Sequence, residues 1–243
     1  MARLPRAVMP GHPHLLIHRG QSGQPVFRDP ADRALYLTGL AEAARAARVA
    51  VHGYALLAGE VRLLATPETA DGLAQLMQAL GRRYVPAFNK KYARTGTPWE
   101  GRFRSAVVEG GPHFLVCLRF VEAANESSSP AMALAVEATV QSSLAHHLGL
   151  RIDPLVVDNT AFWALGNTPF EREAAYRRFI EQAPAEVEVA AILLAVRNGW
   201  ALGLPAFCAT VARQTGRRVQ AAPRGRPRKN PSTPESNDVS PFN

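Results

Sequence analysis

Along the first half of the chain, short apolar runs alternate with longer stretches whose apolar positions recur every three to four residues. Pro13-His14-Leu15-Leu16-Ile17-His18 reads as a strand. Residues 29–47 follow as a helix, opened by Asp29-Pro30 and carrying Ala, Leu and Tyr at helical spacing. Residues 49–54 and 61–65 are short and apolar, with Gly53 and the Ala58-Gly59 pair as punctuation, and read as two antiparallel strands. Residues 73–91 form a long helix opened by Thr69 or Asp71, residues 102–108 a further strand, and residues 112–124 another helix. This order predicts an α+β fold, an antiparallel ferredoxin-like sheet with helices on one face.

Ser127-Ser128-Ser129-Pro130 interrupts the pattern and closes a first domain, residues 1–128. Residues 129–216 read as a helical extension, with helices at 131–148, 169–182, 185–198 and 204–215. Asn198-Gly199 is a helix stop, because both residues tolerate the left-handed conformation. The extension is expected to pack on the first domain, with Trp163 and Trp200 as core anchors. From Arg217 onward Arg, Pro, Gly, Ser and Asn dominate, so residues 217–243 are expected to be a disordered basic tail.

The composition changes the picture mainly through charge. Of 243 residues 47% are hydrophobic, enough for a core, and 20% are charged with a net +8. A pI near 10.2 predicts attraction to polyanions, nucleic acid first. The longest apolar stretches, such as residues 190–196, fall well short of the roughly 20 residues of a membrane span. Met1-Ala2-Arg3-Leu4-Pro5-Arg6 lacks a signal-peptide core. Cys117 and Cys208 read as buried free thiols in a reducing compartment, and no Cys/His spacing suggests zinc. A soluble cytoplasmic, nucleoid-associated protein is expected.

Two basic clusters stand out. The first is Arg82, Arg83, Lys90, Lys91, Arg94, Arg102 and Arg104, interleaved with Tyr84, Phe88, Tyr92, Trp99 and Phe103 and containing one acid, Glu100. Arginines on phosphates with rings stacked on unpaired bases suit a single strand or hairpin; a solvated basic helix over core aromatics is the alternative. The second cluster centres on Pro223-Arg224-Gly225-Arg226-Pro227-Arg228-Lys229 and resembles an AT-hook, whose arginines enter a narrow minor groove of AT-rich duplex.

The stretch from His52 to Pro67 resembles the signature strand pair of HUH-type single-tyrosine transposases of bacterial insertion sequences, the REP-associated group in particular. The resemblance continues through Leu80-Gly81-Arg82-Arg83-Tyr84, Phe88-Asn89, Trp99-Glu100-Gly101-Arg102-Phe103 and Asn198-Gly199-Trp200-Ala201-Leu202-Gly203. It implies DNA binding, a divalent ion held by two histidines two apart on a strand, and a tyrosine nucleophile on the last helix of the domain. This chain departs at each of those positions. The histidine positions fall on Glu60 and Arg62, the nucleophile on Phe120, and the polar helper one turn on falls on Ala124. Being on one strand face, Glu60 and Arg62 are expected to neutralise each other.

Tyr84 is the one replacement nucleophile on offer, and packing of its ring on the sheet is the favoured alternative. His14 and His18 share a strand face but lie too far apart to share a metal; neighbouring His146 and His147 are expected to point apart. The expected activity is binding of hairpin or single-stranded DNA without metal-dependent cleavage and with no cofactor. The alternative is an active transposase using Glu60 for Mg or Mn and Tyr84 as nucleophile. The resemblance admits a homodimer.

Overall fold

Strand β1 (His14–Arg19) lies inside a six-stranded sheet, paired antiparallel with β3 (Glu60–Pro67) on one side and β4 (Arg104–Val108) on the other. The structure, a computed structural model, describes residues 6–123 and 140–221. Strand β2 (Val49–Leu56) pairs antiparallel with β3, and two short strands close the edges, β5 (Gln141–Ser142) on β2 and β6 (Ala201–Leu202) on β4. The order is β5-β2-β3-β1-β4-β6. The β4–β6 pairing is parallel, so the sheet is mixed and not purely antiparallel as the element order predicts. A two-residue strand carries no apolar alternation from which its pairing could be read.

Helices cover both faces of the sheet, which corrects the one-face expectation. Helices α1 (Pro30–Ala46) and α2 (Gly72–Lys91) pack with Leu16, Tyr54, Leu56, Val61 and Leu63. Helices α3 (Pro112–Glu122), α5 (Thr160–Trp163), α6 (Pro169–Glu181) and α7 (Glu186–Asn198) pack with Leu15, Ile17, Ala55 and Leu64. The physical reason lies in β1, where Leu15, Leu16 and Ile17 are all buried. Neighbours on a strand point to opposite faces, so both faces must be covered. Each such side chain contributes roughly 1.5–3 kcal/mol of burial free energy.

The β2–β3 register shifts between Val51 and Gly53, which makes His52 an extra, bulged residue. The bulge lets Val51 and Tyr54 face the same core despite their odd spacing. Gly53 then lies under α3, where an added Cβ would come 2.5 Å from Leu118.

Local chemistry sets the helix ends, as expected at Asp29-Pro30 and Asn198-Gly199. Asp29 caps α1 by accepting from the Asp32 amide, with Pro30 in the first turn. Thr168 and Glu171 form a reciprocal capping box on α6. Gly199 closes α7 in the left-handed conformation at φ 67°. Elsewhere the structure departs from the reading. Of the helix expected over 131–148, residues 131–139 lie outside the described residues. Within 140–148 the chain forms β5 and then one turn, α4 (Leu144–His147). Trp163 is 54% exposed and anchors no core, whereas Trp200 packs on the α3 side. After α8 (Pro205–Thr215), residues 217–221 stay on the fold: Val219 is buried and its carbonyl accepts from the Ala201 amide. Both cysteines are buried free thiols. Among the described residues no helix is long and apolar enough to cross a membrane.

Two histidines link the fold to pH. His14 is fully buried and its Nε2 accepts from the Met9 amide, while His18 Nε2 lies 3.1 Å from the Gly101 carbonyl. Both are thus backbone-bonded, and burial lowers each imidazole from 6.5 to about 4. Between those pH values the unfolded chain binds protons that the folded chain refuses, so stability is full above pH 6.5 and falls as pH drops toward 4. For His14 the loss is on the order of 3 kcal/mol. Urea midpoints measured across this window should fall with acid, and a flat profile would contradict the buried neutral state.

Candidate nucleic-acid interface

Register alone assembles the site. Ile17 faces Arg62 on β3 and Arg104 on β4, and Arg19 faces Glu60, two residues along on both strands. Positions two apart share a face, so Glu60, Arg62, Ile17, Arg19 and Arg104 form one row of side chains. Ile17 belongs to the core cluster of α3 and α7, which fixes the row on that side of the sheet.

Glu60 sits between two guanidinium groups. One carboxylate oxygen lies 2.7 Å from Arg62 Nε and the other 2.6 Å from Arg19 Nε. Arg62 also donates to the Phe120 carbonyl at 3.0 Å, and its Cζ lies 4.3 Å from the centre of the Phe120 ring. The three positions singled out by sequence, 60, 62 and 120, therefore meet at one point. What meets there is one carboxylate shared by two guanidinium groups, with a phenyl ring over Arg62. A divalent ion does not fit, since both Glu60 oxygens are held by cations that repel it. Phe120 is buried and carries no oxygen for attack. Ala124 lies outside the described residues.

Tyr84 is on the other face. Its ring is buried among Phe27, Tyr36, Phe88 and Trp99, and its hydroxyl donates to the Val26 carbonyl. Burial pushes its phenol far above the ordinary tyrosine value. An un-ionised, bonded hydroxyl across the sheet from Phe120 is a packing residue in its geometry.

Beside Glu60 the row opens into a hollow of about 520 Å³ between β1, β4 and α7. Arg19, Arg102, Arg104 and Arg197 line it with Glu100, over a wall of Ile17, Ala190, Leu193, Leu194 and Val196. A smaller recess of about 210 Å³ adjoins it, where Arg6 joins Arg102, Arg104 and Arg197. Arg6 is held there by two hydrogen bonds to the Phe103 carbonyl, at 3.2 and 2.8 Å. Arg104 donates to the Arg197 carbonyl at 3.3 Å, which leaves most of its fork unused.

The first basic cluster is thus divided. Arg102 and Arg104 face the hollow, whereas the other members sit on or just after α2, the helix of the opposite face. Arg83 pairs with Glu42, and Lys91 pairs with Asp29 and Asp32. Arg94 lies over the Phe88 ring, while Arg82 and Lys90 are exposed. Trp99 corrects the stacking expectation. It is 5% exposed and stacked on His18 at 4.1 Å, so its face is closed to a base. Arg19 and Arg197 were not singled out by sequence. Arg19 was in principle accessible as the second residue after Ile17 on its strand, but only the fold brings Arg197 to it. Arg224, Arg226, Arg228 and Lys229 lie outside the described residues.

One further cluster differs from expectation. His146, His147 and Asp158 do converge, with candidate ligand atoms within 4.8 Å of one another. However, His146 Nδ1 accepts from the Asp153 amide at 3.1 Å, so its proton is on Nε2, facing Asp158 at 3.3 Å. That tautomer makes a hydrogen-bond network and offers no lone pair to an ion.

No family model matches the chain, and no curated protein matches it either. Among solved structures it is similar to a REP-associated tyrosine transposase bound to a REP hairpin. The identity is 9%, the TM-score is 0.48, and the match covers 66% of this chain and 93% of that one.

Proposed function

We propose that this protein binds DNA, as a hairpin or single strand, through the arginine-lined hollow, and that it is a transposase-like protein without the cutting chemistry. The observation that carries the reading is the hollow itself, with four arginines and one glutamate around it, two of those arginines, Arg19 and Arg104, standing on the row that holds Glu60 and Arg62. Phosphates suit exposed guanidinium forks, and the Glu60 environment disfavours the cation that strand cleavage would require. The basic tail would add affinity for duplex DNA by counterion release.

The test pairs two measurements on the full chain. Binding of a labelled hairpin should weaken steeply with salt and be indifferent to magnesium, as followed by fluorescence anisotropy. A denaturing gel of the same mixture with manganese should show no covalently shifted band. A shifted band that disappears in Tyr84→Phe would establish the active alternative and overturn the inactive reading. The combined variant Glu60→His, Arg62→His, Phe120→Tyr serves as the comparison, since it removes the guanidinium at position 62 and supplies the missing hydroxyl.

A further inference from the structure

We propose that the hollow between β1, β4 and α7 receives one unpaired nucleotide, and that Glu100 makes it favour a base bearing an exocyclic amine over thymine. The inference rests on the DNA-binding reading and sharpens it. A pure phosphate-binding groove needs only cations along a surface. This hollow is concave, about 520 Å³, and walled on the α7 side by Ala190, Leu193, Leu194 and Val196. That size lies within the roughly 300–1,000 Å³ of small-ligand sites, which combine apolar walls with a few polar groups. A phosphate has no use for an aliphatic wall, whereas the flat apolar face of a base does. Leu194 is 49% exposed, an apolar side chain left facing the opening.

The polar groups fit the other parts of a nucleotide. Arg102 and Arg197 have no acidic partner within ion-pair distance among the described residues. They are free to take the phosphates on either side of an inserted base. Glu100 is the odd member, an acid among arginines that forms none of those ion pairs, fixed by its own amide donating to the Arg19 carbonyl at 2.8 Å. An ionised carboxylate accepts only. It therefore complements an amino group on cytosine, adenine or guanine and repels the two carbonyl oxygens that flank the single N–H of thymine.

The experiment compares single strands of equal length by anisotropy: oligodeoxycytidylate, oligodeoxythymidylate and an abasic strand with the same phosphates. The cytidylate strand should bind roughly tenfold more tightly than the abasic one, with the thymidylate strand between them. Leu194→Ser should narrow the gap between base-bearing and abasic strands by weakening the base-bearing ones more. Glu100→Gln should strengthen binding to all three and erase the preference for cytidylate over thymidylate, because an amide can donate as well as accept. Equal binding of abasic and base-bearing strands would overturn the nucleotide pocket while leaving phosphate binding intact. A cytidylate-to-thymidylate ratio unmoved by Glu100→Gln would overturn the role of Glu100. Failure to bind any strand would instead overturn the DNA-binding reading itself.

Discussion

Replacing Arg102, Arg104 and Arg197 together with alanine is expected to lower affinity for single-stranded DNA by roughly a hundredfold at physiological salt, with a smaller salt dependence. All three are exposed, and the one hydrogen bond lost is Arg104 to the Arg197 carbonyl, so the fold should survive. Each arginine that neutralises a phosphate releases counterions, contributing about 0.7 to the log–log salt slope on a single strand. The slope should therefore shrink by about 2 if all three make phosphate contacts. The contrasting variant is Arg83→Ala with Lys91→Ala. Those cations already hold Glu42, Asp29 and Asp32, and they lie on the opposite face. Equal losses from both variants would mean that charge acts diffusely and that the hollow has no special part in binding.

That contrast shows where the sequence was readable. Helix ends are legible because capping is local: Asp29-Pro30 and Asn198-Gly199 carry their signals within a few residues. The meeting of positions 60, 62 and 120 followed from strand period and resemblance together. Other features depend on long-range placement. Arg104 and Arg102 look like partners of Arg82 and Lys90 along the chain, but the sheet separates them into two faces. The aromatics between them read along the chain as stacking surfaces, whereas Trp99 and Phe88 are core because the α1–α2 face needs large rings to fill it. The unbroken apolar run in β1 was the local clue to a sheet covered on both sides. His146 and His147 converge with Asp158 because α4 is a single turn whose neighbours reach around it, which helical spacing alone does not foresee.

Glu122→Leu should cost about 3–5 kcal/mol of unfolding free energy, the largest single-residue effect expected in this protein. Glu122 is 2% exposed, at the last turn of α3, and three donors converge on it. His147 Nδ1 lies 2.7 Å from Oε1, Tyr176 donates to Oε2 at 2.8 Å, and the Ser143 hydroxyl completes the set. Leucine would fill the volume but leave a buried imidazole and phenol without their acceptor, while the Ser143 hydroxyl would fall back on the Tyr54 carbonyl at 3.4 Å. Burial alone would lower the His147 pKa, yet the neighbouring carboxylates, Glu122 foremost with Asp158 and Asp153, outweigh it and hold the imidazole above its ordinary value. The sign is opposite to that of His14. This pair's stabilisation is complete at acid pH below the unfolded histidine value and fades as pH rises through the raised folded one. Glu122→Leu should therefore both lower the urea midpoint and remove the alkaline decline. Adding His147→Phe should recover part of the loss, because removing both charges costs less than stranding one. A Glu122→Leu midpoint within about 1 kcal/mol of the parent would show that the network is incidental to stability. The consequence reaches the proposed DNA-binding face, because the same helix end carries Phe120. Once α3 is no longer tied to Ser143, His147 and Tyr176, the ring has less to hold it over Arg62.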